Sequence, residues 1–162
     1  MSSKAGGARP RRSRTLSWGL FDNSVGPLVL LLSRALTGRS LAALASYGLP
    51  PGSLSVLALI DANPHCSQTD LALATGMSKS GVVGLVDELE RRGLALRAPF
   101  PGDRRRNSLT LTPGGVAQLR EMAAVQVAQE RPIEEELTAA ELAQLIALLR
   151  RAYQAMDDDP AV

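Results

Sequence analysis

Apolar residues recur at helical spacing near both ends of the chain, and glycine or proline separates the segments. A first helix is predicted over about 27–46, because Pro27 suits the first helical position and Gly48 ends the run. A second helix is predicted over about 52–62 and ends before Asn63-Pro64. The first of these helices is apolar over much of its length.

The C-terminal third holds two more predicted helices. Thr112-Pro113 is a cap followed by a proline, and it opens a long helix that breaks near Arg131-Pro132. A capping box at residues 138–141 then opens the last helix. The apolar stripe of this helix comprises Leu142, Leu145, Ile146, Leu149 and Tyr153.

The middle of the chain combines two helices with a tight connection. A capping box at residues 67–70 opens a short helix that ends near residue 74. Thr75-Gly76-Met77 forms a turn that contains glycine, and Ser78 caps a longer helix that runs to about Arg92. Helix, short turn and helix in this order predict a helix-turn-helix.

After Gly93 the apolar period changes to alternation, which predicts a strand through Leu94, Leu96 and Ala98. Residues 101–103 supply a turn, residues 104–106 are three arginines, and residues 108–111 form the returning strand. The predicted fold is therefore mainly α with a small β-hairpin that has a basic tip. An aromatic content of only 3% also favours packed helices over a β-sandwich.

The formal net charge of +2 is small, but the charges are unevenly distributed. Residues 1–14 contain five basic and no acidic residues and have no apolar face, so they are expected to form a mobile arm. Residues 76–106 contain seven basic against four acidic residues, whereas residues 130–162 contain eight acidic against three basic ones. This distribution favours binding to nucleic acid, and ordinary charge scatter is the alternative.

From about residue 26 to residue 155, the chain resembles the MarR family of bacterial transcription regulators. The most specific match joins the helix-turn-helix, the run Leu89-Glu90-Arg91-Arg92-Gly93-Leu94, the run Asp103-Arg104-Arg105 and the return at residues 109–115. The resemblance implies one domain over 15–155: a winged helix-turn-helix at 51–112 with dimerisation helices at 26–50 and 113–155. It leaves residues 156–162 as an acidic tail. It also implies repression or activation that a small ligand or an oxidant releases.

Small polar and basic side chains stand where a recognition helix would enter the major groove of DNA. Ser78, Lys79 and Ser80 occupy the N-terminal end of the fourth helix, where free backbone N–H groups also favour a phosphate. A simple N-cap beside a solvated lysine is the alternative interpretation.

The three consecutive arginines predict a second contact with DNA, because they would repel one another on a bare surface and gain by meeting phosphates. By resemblance, Asp103 braces the wing and Arg105 inserts into a narrow minor groove. Arg97, Arg104 and Arg106 are expected to contact the DNA backbone. A solvated charged turn is the alternative.

One departure from the family pattern affects how the helix would read bases. Gly81, Val83 and Gly84 stand where the family usually has a polar or basic side chain. Each glycine costs roughly 1 kcal/mol of helix stability relative to alanine and removes a side chain that could read a base. Affinity is therefore expected to rest on phosphate and wing contacts, with modest base discrimination.

The apolar first and last helices predict a homodimer on palindromic double-stranded DNA, with the two helices packing within one subunit as the alternative. By resemblance, an unidentified small-molecule effector would lie between the dimerisation helices and the DNA-reading lobe. Candidate lining residues are Trp18, Ser33, Arg34, Tyr47 and Met122, for which simple packing is the alternative.

Other chemistry has little support. One cysteine and one histidine cannot supply the ligands of a zinc site. Cys66 beside His65 is a candidate redox thiol, and an inert loop pair is the alternative. Paired carboxylates, a phosphate-binding glycine loop and a nucleophile elbow are all missing, so no cofactor and no enzyme activity are expected.

The expected location is the cytoplasm. A single cysteine fits a reducing compartment. The apolar run at residues 28–32 is too short for a membrane span of about 20 residues, so no membrane is expected. A winged helix used for protein association, with weak or no specific DNA binding, is the alternative function.

Overall fold

The computed structural model describes residues 16–100 and 103–157, with side chains at all of these positions except 100, 103–107 and 157. The described chain forms two compact units that divide between Ala35 and Leu36. The basic arm predicted at residues 1–14 lies outside the described residues, as do residues 158–162 of the acidic tail.

The first unit fixes a turn in front of a long helix. A short 3-10 helix covers Gly19–Phe21, and the Asp22 carboxylate accepts hydrogen bonds from the Ser17 hydroxyl (2.7 Å) and the Trp18 backbone N–H (2.6 Å). Helix α1 spans Val25–Leu44, starting slightly earlier than predicted, and runs from the first unit into the second.

Helix α1 and its 3-10 extension form an apolar segment, Val25–Tyr47, that is long enough to cross a membrane, with a mean hydropathy of 1.5. The expectation that this stretch is too short for a span is therefore wrong on length. Composition and length are weak evidence for a membrane, because a signal sequence or a core helix passes the same test. No residue of the segment is buried inside the described chain.

The second unit contains the predicted helix-turn-helix and hairpin, with one additional helix. Its elements are α2 (Ser53–Ala62), α3 (Gln68–Thr75), α4 (Lys79–Arg91), β1 (Ala95–Phe100), β2 (Asp103–Leu111), α5 (Pro113–Ala128), α6 (Arg131–Glu136) and α7 (Ala139–Asp157). Helix α6 was not predicted. Pro132 lies in its first turn, where proline starts a helix as readily as it ends one.

Local capping explains why these helices begin where the sequence predicts. The side chains of Ser67, Ser78 and Thr112 each accept a hydrogen bond from the backbone N–H three residues further on, at 3.2, 3.1 and 2.9 Å. The Thr138–Glu141 capping box is also present. Such caps satisfy donors that a helix leaves free at its N-terminus.

The core of the second unit lies between α2, the helix-turn-helix, the hairpin and α5. It is built from aliphatic side chains that the helical and strand periods turn inward. Its largest fully buried members are Val56, Leu57, Ile60, Leu71, Val82, Val86, Leu89, Leu109 and Met122.

The hairpin differs from its prediction at the basic segment. The strands pair antiparallel from Ala95 with Leu111 up to Pro99 with Asn107, and then Phe100 pairs with Asp103. The returning strand therefore begins at Asp103 rather than near residue 108. The pair Phe100–Asp103 closes the hairpin, so the residues between Asp103 and Asn107 belong to β2. The three arginines at 104–106 occupy a bulged stretch with no partner on β1.

Candidate nucleic-acid interface

The three residues predicted at the tip of the recognition helix lie together and face solvent. Ser78 caps α4, and its hydroxyl is 3.2 Å from that of Ser80. Lys79 and Ser80 are exposed in the first turn. The tip therefore presents two hydroxyls, one ammonium group and the free N–H groups of a helix N-terminus, which together suit a phosphate or a base edge.

The outward face of α4 continues from this tip with small side chains. Val83 is 39% exposed, and Gly84 and Asp87 are exposed one position and one turn further on. A Cβ atom on Gly84 would meet nothing within 4 Å, so packing inside the chain does not require glycine there. The result is a shallow surface that lets the helix backbone approach a groove closely.

Arg97 couples the hairpin to the recognition helix. One of its guanidinium nitrogens lies 2.7 Å from the Asp87 carboxylate, and the same nitrogen bonds to Glu90. The backbone N–H of Arg97 also donates to Glu90 at 2.8 Å. Since these carboxylates belong to α4 and Arg97 to β1, the three groups clamp the wing against the helix.

This clamp gives Arg97 a function other than the predicted phosphate contact. Its side chain is only 21% exposed and already faces two carboxylates, so a contact with DNA stays a prediction. Asp87 and Glu90 were not predicted at all. They lie three residues apart on one side of α4, and Arg97 follows shortly after the Gly93 turn. This spacing of two acidic residues and one basic residue is the sequence signal that could have indicated the contact.

Glu88 takes part in contacts that link the C-terminal end of the recognition helix to residues 47–48. Its carboxylate accepts hydrogen bonds from Arg91 and Arg92, and Arg92 in turn donates to the backbone carbonyls of Gly48 (2.5 Å) and Tyr47 (3.3 Å). These bonds lower the pKa of Glu88 from 4.5 to about 2. The sequence did not identify this contact, because Tyr47 and Gly48 are far from α4 along the chain.

The remaining predicted wing residues are described by their backbone alone. Asp103, Arg104, Arg105 and Arg106 belong to β2, with the arginines in its bulged stretch. Their side chains lie outside the described part of the structure. The bracing of the wing by Asp103 and the insertion of Arg105 therefore stay predictions.

A cavity of about 430 Å³ lies beside α2 and α5 in the second unit. Of the predicted lining residues, Met122 borders this cavity. Tyr47 packs against the core, and Ser33 and Arg34 are exposed on α1. Trp18 borders a separate cavity of about 320 Å³ in the first unit. The predicted set therefore does not line one common cavity.

Cys66 lies in an environment that keeps its thiol protonated. Partial burial and the nearby Asp70 carboxylate raise the pKa of the Cys66 thiol. Reactive cysteines need a lowered pKa, because the thiolate is the nucleophile. Within residues 16–100 and 103–157, no three His, Cys, Asp or Glu side chains are grouped so that they could hold a metal ion.

Comparison with known proteins supports the resemblance seen in the sequence. The sequence profile of the MarR family matches residues 47–106. A protein from Thauera aromatica, named as a transcriptional regulatory protein for the hcr operon, is 38% identical over 114 residues, which cover 70% of this chain and 69% of that protein.

Solved structures have the same fold. The transcriptional repressor CouR bound to a 23-mer DNA duplex superposes with a TM-score of 0.75 at 30% identity, over 85% of this chain and 98% of that one. CouR from Rhodococcus jostii RHA1 bound to p-coumaroyl-CoA gives 0.73 at 27% identity, over 88% and 97%.

A further solved structure is BpsR of Bordetella bronchiseptica, whose DNA binding is regulated by 6-hydroxynicotinic acid. It gives a TM-score of 0.71 at 27% identity, over 86% of this chain and 96% of that one. On its helix-turn-helix, its winged fold and its likeness to the Thauera regulator, the chain belongs to the MarR family of transcriptional regulators.

Proposed function

We propose that this chain is a cytoplasmic, homodimeric transcriptional repressor that binds palindromic double-stranded DNA and is released by a small molecule. The observation that carries the proposal is the clamp of Arg97 on Asp87 and Glu90. It holds the arginine-bearing hairpin at a fixed position beside an exposed recognition helix. A preformed pair of this kind costs less ordering free energy when it meets a duplex.

The two parts contact different features of DNA. The N-terminal end of α4, with Ser78, Lys79 and Ser80, enters the major groove and meets phosphates and base edges. Arg105 enters the adjacent minor groove, and Arg104 and Arg106 lie against the DNA backbone. Duplex DNA as the partner is supported by CouR, a transcriptional repressor solved on a 23-mer DNA duplex.

Base discrimination by this helix is modest. Its outward face offers Val83, with an apolar side chain, and Gly84, with none, so few hydrogen bonds to base edges are available. Most affinity then comes from phosphates. Competition between the preferred duplex and scrambled duplexes at physiological salt measures this, and a preference of several orders of magnitude would contradict it.

The homodimer is supported by apolar surface at both chain ends. Helix α7 exposes Ile146, Leu148, Leu149, Tyr153 and Met156, each at 43% or more. Helix α1 exposes several more apolar side chains. A second copy would remove both surfaces from water and set two recognition helices about one DNA turn apart.

The decisive experiment measures DNA affinity against salt, using a duplex from upstream of the chain's own gene. Counterion release predicts a loss of about a thousandfold between about 50 and 200 mM salt. Arg105→Ala is expected to weaken binding strongly. It should also reduce the slope of log affinity against log salt concentration by about one.

The matched control is Arg120→Ala, which removes the same charge from an exposed position on α5. It is expected to bind DNA with unchanged affinity. If the unmodified chain shows no affinity for duplex DNA even at low salt, the winged helix serves protein association instead.

A further inference from the structure

Arg92 joins the C-terminal end of the recognition helix to the end of α1. Its two terminal guanidinium nitrogens donate to the backbone carbonyls of Tyr47 (3.3 Å) and Gly48 (2.5 Å). Its third nitrogen, Nε, donates to the Glu88 carboxylate at 2.6 Å. All three nitrogens of the guanidinium are therefore engaged, two of them by residues that lie 45 and 44 positions away along the chain.

The chemistry of both partners favours this link. Tyr47 is the last residue and Gly48 the C-cap of the 3-10 turn that extends α1. Carbonyls at the C-terminal end of a helix have no partner within the helix and carry the negative end of its dipole, so a cation is favourable there. Glu88 holds the guanidinium from the other side, and a planar fork of donors loses little freedom for each hydrogen bond it forms.

Apolar packing alone leaves the end of α1 weakly fixed. No residue of α1 is buried within the described chain, and Leu44 and Tyr47 are only partly buried against the core. Hydrophobic contacts are non-directional, whereas charge-assisted hydrogen bonds to two neighbouring carbonyls also fix an orientation. The angle between the end of α1 and α4 therefore depends on Arg92.

We propose that Arg92 is a positioning residue for DNA binding: by fixing the end of α1 on α4, it sets the half-site spacing that the dimer accepts. This inference rests on the proposed function, in which α1 takes part in the homodimer and α4 reads DNA. Two recognition helices held at one distance match half-sites at one separation. One additional base pair moves a half-site by about 3.4 Å and turns it about the duplex axis, so a rigid dimer does not follow it.

Duplexes that differ only in half-site spacing test the role of Arg92. The series starts from the duplex upstream of the chain's own gene, with one or two base pairs inserted at its centre or removed from it. The unmodified chain is expected to bind the altered duplexes at least about tenfold more weakly than the original, a cost similar to that of a mismatched base pair. Arg92→Met should bind the original duplex more weakly and the whole series with similar affinity, because its recognition helices are no longer held at one distance.

Arg91→Met is the matched control. Within the described residues, the side-chain hydrogen bonds of Arg91 go to Glu88 alone, at 2.6 and 2.8 Å, so this variant loses a Glu88 partner without touching the end of α1. It should keep the spacing preference of the unmodified chain. Arg92→Lys keeps the charge without the planar fork, so it should also weaken the preference, and it carries the test if Arg92→Met does not fold.

Hydrogen exchange measures the same link in the free protein. The Gly48 amide donates to the Ala45 carbonyl at 3.1 Å, and it should exchange faster in Arg92→Met than in Arg91→Met. A spacing preference that survives in both Arg92 variants, an equal loss in Arg91→Met, or an unchanged exchange rate at Gly48 would each overturn the role of Arg92. No binding of any duplex by the unmodified chain would overturn the proposed function and the DNA role of Arg92 with it, and the exchange rates would then show separately whether the link exists.

Discussion

Gly115 lies where α5 passes close to the backbone that leads into β1. A Cβ atom at this position would lie 1.9 Å from the Leu94 carbonyl oxygen, a distance that no side chain tolerates. Leu94 cannot move away, because its carbonyl accepts a hydrogen bond from the backbone N–H of Thr112 at 3.0 Å. Glycine is therefore required here by the neighbouring backbone and not by its own conformation.

We expect Gly115→Ala to lower the free energy of unfolding by about 3 kcal/mol, since overpacking against backbone leaves no flexible group to yield. Chemical denaturation measures the change. Gly114→Ala is the matched control, because the nearest atom to its added Cβ is the Thr112 hydroxyl oxygen at 3.5 Å, an ordinary contact. Equal effects of the two substitutions would refute this account of Gly115.

At the scale of elements, α4 is held at both of its sides by charged groups. Arg97 ties the wing to Asp87 and Glu90, and Glu88 joins Arg92, which reaches the carbonyls of Tyr47 and Gly48. The recognition helix is thus oriented by contacts with groups outside α4, namely the Arg97 guanidinium and the Tyr47 and Gly48 carbonyls.

The Glu88 contacts predict a defined acid dependence of stability. Because the folded-state pKa of Glu88 is lowered from 4.5 to about 2, its contribution is fully present above about pH 4.5 and is lost as the pH falls toward 2. Glu88→Gln should therefore melt at a lower temperature than the unmodified chain at neutral pH. Thermal melts across this range should show the difference shrinking, and a constant difference would exclude the ion pairs as its source.

At the scale of the whole molecule, the apolar surfaces of α1 and α7 need an explanation. Within the described residues, α7 packs little against the rest of the chain, and the element it contacts most is the neighbouring α6. Exposing apolar side chains along one helical face to water is unfavourable. We therefore expect a second copy of the chain to cover the apolar surfaces of α1 and α7.

We expect Leu149→Glu to shift the chain from dimer to monomer and to weaken DNA binding together with it. The new carboxylate would stand in the middle of the apolar stripe, where burial in an interface leaves it unpaired. Light scattering at micromolar concentration measures the mass. Gln144→Glu introduces the same charge at an exposed position outside the stripe and should stay dimeric. A monomeric mass for the unmodified chain would remove the dimer from the proposed function.

Much of the fold was predictable because its signals are local. The caps at Ser67, Ser78 and Thr112 act within a few residues, and the sequence located them correctly. The extent of β2 and the existence of α6 were not predicted. The extent of β2 depends on which residues pair next to the turn, and the existence of α6 depends on whether Pro132 ends one helix or starts another. The local sequence allows either outcome in both cases.

The sequence by itself determined the helix-turn-helix, the hairpin and the apolar helices, because periodicity and capping depend on residues no more than about four positions apart. Only the tertiary structure decided which of two adjacent glycines is indispensable and that Arg97 is shared between two carboxylates. Those facts arise from segments distant along the chain coming into contact, and a one-dimensional pattern does not record such distances.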